Sequence, residues 1–127
     1  MILIDTSAWI AFLRNSNDEV AIKVEKALSR KVATTDPVRM EVLAGARDEA
    51  HLQQLKGLLA RATNIPTRSF DYEEAAHLMR RSRAAGGSRL ATMDCLVAAV
   101  AIRSKAKILH ANDAMNELVS LSPLKIA

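Results

Sequence analysis

The sequence predicts an α/β domain built on a parallel sheet, and three observations carry that reading. Short apolar runs alternate with helical patterns from end to end, most helical patterns open on a recognisable start signal, and neither an internal repeat nor a low-complexity stretch breaks the rhythm. At 127 residues the chain has the length of one domain able to bury a single core.

Taken in order, Ile2 to Ile4 form the first predicted strand, and Asp5 stands before a helix containing Ala8, Trp9, Ile10, Phe12 and Leu13. Asn17 or Asp18 caps a second helix with Val20, Val24, Ala27 and Leu28 on one face. A strand follows over Lys31 to Thr34. Asp36-Pro37 then reads as a cap followed by proline at the first helical position. Asp48 starts the next helix, through Leu52, Leu55, Leu58 and Leu59, and Thr63 to Ile65 form a third strand. Ser69 precedes a long helix with Tyr72, Ala75, Ala76 and Met79 turned inward, ending before Gly86-Gly87. Thr92 opens the most apolar helix, reaching about Arg103. Strands over Lys107 to His110 and Leu124 to Ile126 flank a short helix from Ala114 to Val119.

Composition narrows the class. With 50% hydrophobic and 25% charged residues, the chain is neither disordered nor fibrous, and 3% aromatic residues leave a core of aliphatic side chains and alanine. The longest apolar run, Cys95 to Ile102, is far shorter than the roughly 20 residues of a membrane span. No basic region precedes the first apolar residues, so no export signal is expected. A lone cysteine fits a reducing, cytoplasmic setting.

The net charge of +4 is unevenly spread: residues 78 to 107 hold 7 Lys or Arg against 1 acid, while residues 1 to 77 hold 10 against 11. A basic segment beside acidic candidates suits a polyanionic substrate, or else forms a solvated face. Arg80, Arg81 and Arg83 have no acid three or four residues away on their helix, and Arg89 extends the group. Guanidinium forks of this kind suit phosphates, although solubility or a protein partner would also explain them.

Four carboxylates, Asp5, Glu41, Asp94 and Asp113, interrupt segments that are otherwise apolar or small, each where a strand ends or near a helix start. The crevice of such a sheet lies at the carboxyl ends of its strands, where Asp5 and Asp113 fall. Glu41 shares a helical face with Val38, Val42 and Gly45, so it must be paired, protonated or metal-bound, unless it leans out to solvent or pairs with Arg39. Asp94 in a first turn is also what a helix dipole favours, and Asp5 and Asp113 can each serve as caps. Gathered together, the four would repel unless protons or a divalent cation intervened.

Other chemistry is weakly represented. His51, His77, His110 and Cys95 are scattered, and Gly86-Gly87 lacks both the GK[ST] ending of a phosphate loop and a preceding strand. Ser7 has no local base.

At MILIDTSAWIAFLR, PVRMEVLAGAR and TMDCLVAAVAIRSKAKILHAND the chain resembles the PIN-domain family, in particular the VapC ribonuclease toxins of bacterial toxin–antitoxin pairs. The resemblance implies a single PIN-like domain over residues 1–127, a three-layer α/β/α sandwich with a central parallel sheet. Its acidic quartet maps onto Asp5, Glu41, Asp94 and Asp113, with Thr6 or Ser7 offering a hydroxyl. It further implies Mg²⁺ or Mn²⁺ held by Asp5, Glu41 and Asp94, supported by Asp113, and in-line hydrolysis of RNA by activated water. The arginines would position the RNA backbone. A homodimer and a VapB-like antitoxin, packed near Trp9, Phe12 and Leu13, are the implied partners. One departure lies at Asn112-Asp113-Ala114-Met115-Asn116, where such chains often carry a second acid and then an aromatic; either Asn112 or Asp113 then faces the metal. Two rival readings are a PIN-like scaffold that binds RNA or a partner without cleaving, and a signalling receiver domain, whose paired acids after the first strand are absent here.

Overall fold

The computed structural model describes residues 1–14, 17–87 and 89–127. Four parallel strands form the sheet: β1 (Ile2–Ile4), β2 (Val32–Thr35), β3 (Thr63–Ile65) and β4 (Lys107–Leu109), in the order β3-β2-β1-β4. Six helices connect them: α1 (Thr6–Leu13), α2 (Glu19–Leu28), α3 (Asp36–Ala44), α4 (Glu49–Leu59), α5 (Ser69–Ala84) and α6 (Thr92–Ser104). A 3-10 helix, Asp113–Leu118, follows β4. In β1 and β4 the register pairs Leu3 with Ile108 and Ile4 with Leu109. Side chains alternate sides along a strand, yet all four residues are buried, as is the whole of β2. Both faces of the sheet are therefore covered, which makes an α/β/α sandwich.

The strand order fixes where a site can form. The chain steps outward from β1 to β2 to β3 and then returns to lay β4 on the other side of β1. That reversal is the switch point of the sheet, and its crevice opens at the carboxyl ends of β1 and β4. Helix α6 is buried from Cys95 to Ala101 because its residues are apolar nearly all round, and it packs along α5 and against β4.

Several sequence expectations need correction. Leu124 to Ile126 does not form a strand; a single parallel bridge joins Ile126 to Ile108, because the Ala106 N–H that would begin the next rung already donates to the Ala101 carbonyl at 2.9 Å. Asp36 is the first helical residue rather than the cap, and its carboxylate instead accepts from Asn64 Nδ2 at 3.1 Å and from the Thr67 N–H at 3.3 Å. Tyr72 and Ala76 face outward, whereas Ala75 and Met79 are buried. Trp9 is fully buried, so the expected Trp9, Phe12 and Leu13 surface reduces to half-buried Phe12 and exposed Leu13. Asp18 and Asp48 do cap their helices, accepting from Ala21 N–H and His51 N–H at 2.8 Å each. Among the described residues no helix is long and apolar enough to cross a membrane.

The end of α6 is clamped to the start of α5 by a buried ion pair. Arg103 donates through Nε and Nη2 to the two oxygens of buried Asp71, at 2.9 and 3.0 Å, and through Nη2 to the Pro66 carbonyl at 2.7 Å. Removing the cation alone strands a buried charge, so Arg103→Met should lower stability by about 3 kcal/mol in urea denaturation. Adding Asp71→Asn to that variant should restore part of the loss; no recovery would contradict the charge argument.

Candidate functional site

Asp5 leaves β1 and caps α1. Its Oδ2 accepts from the Ser7 hydroxyl at 2.6 Å and the Ser7 N–H at 3.4 Å, while Ser7 Oγ accepts from the Ala111 N–H at 2.9 Å. A relay of two short bonds thus ties the exit of β4 to the exit of β1, reinforced by Asp5 N–H donating to the Leu109 carbonyl at 2.9 Å. Asp5 is only 4% exposed. Burial pushes its carboxyl above the ordinary carboxylate range; the Ser7 hydrogen bonds oppose that rise, and the nearby Asp94 charge adds to it.

Asp94 is half-buried in the first turn of α6, and its Oδ2 accepts from the Ala91 N–H at 2.9 Å. The capping expectation is therefore met by one oxygen, while the charge also reaches Asp5. Glu41 leans out to solvent, one of the alternatives its spacing left open, although Val38 and Val42 are buried, and its Oε1 accepts from the Thr6 hydroxyl at 2.9 Å. That bond joins α3 to the first residue of α1, a link that sequence spacing does not signal. Asp113 is exposed and makes no hydrogen bond or ion pair among the described residues. Asn112, its rival, is occupied as the cap of the 3-10 helix, its Oδ1 accepting from the Ala114 N–H at 3.2 Å. His110 is held as the Nε2–H tautomer, since Nδ1 accepts from the Asn112 N–H and Nε2 then donates to Asn116 Oδ1.

The structure thus sets Asp5 and Asp94 against each other and hooks Glu41 on through Thr6, with Asp113 at the exit of β4. Among the described residues no three His, Cys, Asp or Glu side chains converge as a ready-made ligand set, and none of the four acids has a basic partner.

The arginines divide. Arg81 pairs with Glu74, two turns away on its own helix, at 3.8 Å, and Arg89 pairs with Glu117 at 3.2 Å. Spacings of three and four residues overlooked the first, and the second spans distant segments. Arg80 and Arg83 are exposed without an ion-pair partner among the described residues. Cys95 lies buried beside this site; desolvation and the Asp94 charge push its thiol up to about 11, opposed by Arg83, so it is not a nucleophile at neutral pH.

The raised carboxyl of Asp5 makes stability depend on pH. The folded chain holds this proton more tightly than the unfolded one, so the stabilisation is complete below the ordinary value of 3.8 and is lost as pH rises through the raised native value. In chelator at pH 7, Asp5→Asn should melt higher than the parent by about 3–6 °C, with the gain shrinking toward pH 3. Equal melting temperatures at both pH values would contradict a native state that disfavours the ionised Asp5 carboxyl.

The PIN domain profile matches residues 2–120. The chain is 34% identical over 131 aligned positions to Ribonuclease VapC11 of Mycobacterium tuberculosis, with all of this chain and 98% of that protein covered. Its backbone superposes on VapBC2 from Rickettsia felis, bound to a DNA fragment from the pair's promoter, with a TM-score of 0.78 at 19% identity, covering 100% of this chain and 98% of that one. The fold also matches VapBC-1 from nontypeable Haemophilus influenzae, with a TM-score of 0.79 at 16% identity over 100% and 97% of the two chains.

Proposed function

The chain belongs to the PIN-domain family, and from that premise we propose that it is a Mg²⁺- or Mn²⁺-dependent endoribonuclease, the toxin of a toxin–antitoxin pair. The observation that carries the proposal is buried Asp5, its ionised form disfavoured by burial and by Asp94, with neither acid in an ion pair among the described residues. The donors are all oxygen, which suits hard divalent ions. Mg²⁺ in particular keeps several waters and takes only one or two carboxylates, so two acids suffice in number. Asp5 and Asp94 would hold the ion, with Glu41 and Asp113 completing its acidic surroundings. When bound, such an ion lowers the pKa of water and offsets the charge that develops on a phosphodiester.

The chain's own contribution is orientation. Ser7 fixes one oxygen of Asp5 and is itself fixed by the Ala111 N–H; Ala91 N–H fixes one oxygen of Asp94; Thr6 restrains Glu41. Carboxylates held this way need little rearrangement on loading. Arg80 and Arg83 would hold backbone phosphates without reading sequence. The family match removes the receiver-domain alternative.

With Mg²⁺ or Mn²⁺, the purified chain should cleave RNA, and Asp5→Asn or Asp94→Asn should reduce the rate about 100-fold or more while leaving the fold intact. Undiminished cleavage in excess EDTA would contradict the metal's role. Binding without cleavage under either divalent ion would favour the scaffold reading.

A cytoplasmic ribonuclease needs restraint, and the relatives named as VapBC pairs support a VapB-like antitoxin here. Exposed Ile10 and Leu13 on α1 and Met40 beside Glu41 on α3 offer apolar ground for a partner helix next to the acids. A basic side chain of that partner would pair with Asp5, Glu41 or Asp94. A homodimer is proposed on the family resemblance. Induced expression should arrest growth, and co-expression of the adjacent small gene should restore it. Equal growth with soluble protein present would sink the toxin role and leave the nuclease open.

A further inference from the structure

A second concave surface begins one residue from the acidic pair. Between α5 and α6 runs a groove of about 460 Å³, floored by Met79, Met93 and Leu96 and rimmed by Tyr72, Arg80 and Arg83. Its floor is apolar, and no Asp or Glu lines it. Tyr72 is 59% exposed, a large aromatic kept at the surface where the helical pattern had assigned it to the core. Arg80 and Arg83 are the two arginines of the basic segment's cluster that have no ion-pair partner among the described residues, whereas Arg81 and Arg89 are paired. The far wall is Thr92 and Met93, directly followed by Asp94, and the Cys95 thiol feels both Asp94 and Arg83.

An aromatic face, an apolar slot and two free guanidiniums together match one ligand chemistry, a nucleobase with its flanking phosphates. Bases stack on tyrosine whatever their identity, and guanidinium forks take phosphate oxygens. The volume lies within the range of small-ligand sites. We infer that this groove receives an unpaired nucleobase of single-stranded RNA next to the scissile phosphate, with Tyr72 stacking on the base and Arg80 and Arg83 holding the backbone. The inference rests on the ribonuclease reading. A second copy of this chain fits less well, since the groove offers no carboxylate to receive a partner's guanidinium.

The test measures binding of a short fluorescent single-stranded RNA by anisotropy, in an Asp94→Asn background so that cleavage does not intervene. Tyr72→Ala should weaken binding about tenfold, and Tyr72→Phe, which keeps the ring, should not. Arg80→Gln with Arg83→Gln should weaken it further and reduce the salt slope by about 1.4. An oligonucleotide abasic at the stacked position should bind the parent and Tyr72→Ala alike. Parent-like affinity for Tyr72→Ala, with its melting temperature retained, would overturn the inference while the ribonuclease reading stands. If Tyr72→Ala instead changes the sedimentation coefficient and leaves RNA affinity alone, the groove is covered by a second copy and the inference is likewise overturned. An unmutated chain that neither binds nor cleaves RNA would remove the ribonuclease reading first and this inference with it.

Discussion

A buried carboxylate that feels the charge of a second one, with neither in an ion pair among the described residues, is the constraint on which the rest of this structure turns. Asp5 is withdrawn from water by the β1–β4 crevice and tied through Ser7 to the backbone at Ala111. Those hydrogen bonds favour its charged form, whereas burial and Asp94 oppose it. The competition leaves Asp5 poised to gain from a positive charge brought in from outside. A divalent ion and the guanidinium of an inhibiting partner would answer the same electrostatic need, so on the proposed function one site would serve both activity and its restraint.

The fold supplies that constraint from elements that are otherwise ordinary. Because β4 returns to the far side of β1, the two strand exits sit together and the relay through Ser7 spans only short bonds. Helix α6 is buried through most of its length, so its first turn, and Asp94 with it, is held at the same edge. The Arg103–Asp71 clamp at the other end of α6 anchors it against α5.

Much of this was legible in the sequence, for identifiable reasons. Each of Asp5 and Asp94 alone can be read as a helix-start acid, and they stand out because both fall at the rim of one sheet in segments that are otherwise apolar. The four strands of the sheet follow from short apolar runs between turns, and the match to a PIN profile accords with the motifs at both ends of the chain. What sequence periodicity missed depends on contacts between distant segments. The Thr6–Glu41 bond spans 35 residues, and Arg89 finds Glu117 across 28. Spacing put Glu41 on one face with Val38 and Val42 without deciding whether it was buried, and a face defined only by spacing is wide enough for its edge to reach solvent. Tyr72 was placed inward by the same rule and lies outward, where it borders the groove. Leu124 to Ile126 reads as a strand by composition, but the Ala106 N–H beside it is taken by the Ala101 carbonyl, which leaves one bridge.

The central claim, that the Asp5 and Asp94 pair exists to hold a divalent cation, is tested most directly by anomalous diffraction from crystals grown with Mn²⁺. The account predicts an anomalous peak within coordination distance of a carboxylate oxygen of both Asp5 and Asp94, roughly 2.2 Å, and its loss in Asp5→Asn crystals grown the same way. A manganese peak elsewhere with none between these two carboxylates, at saturating Mn²⁺, would contradict it.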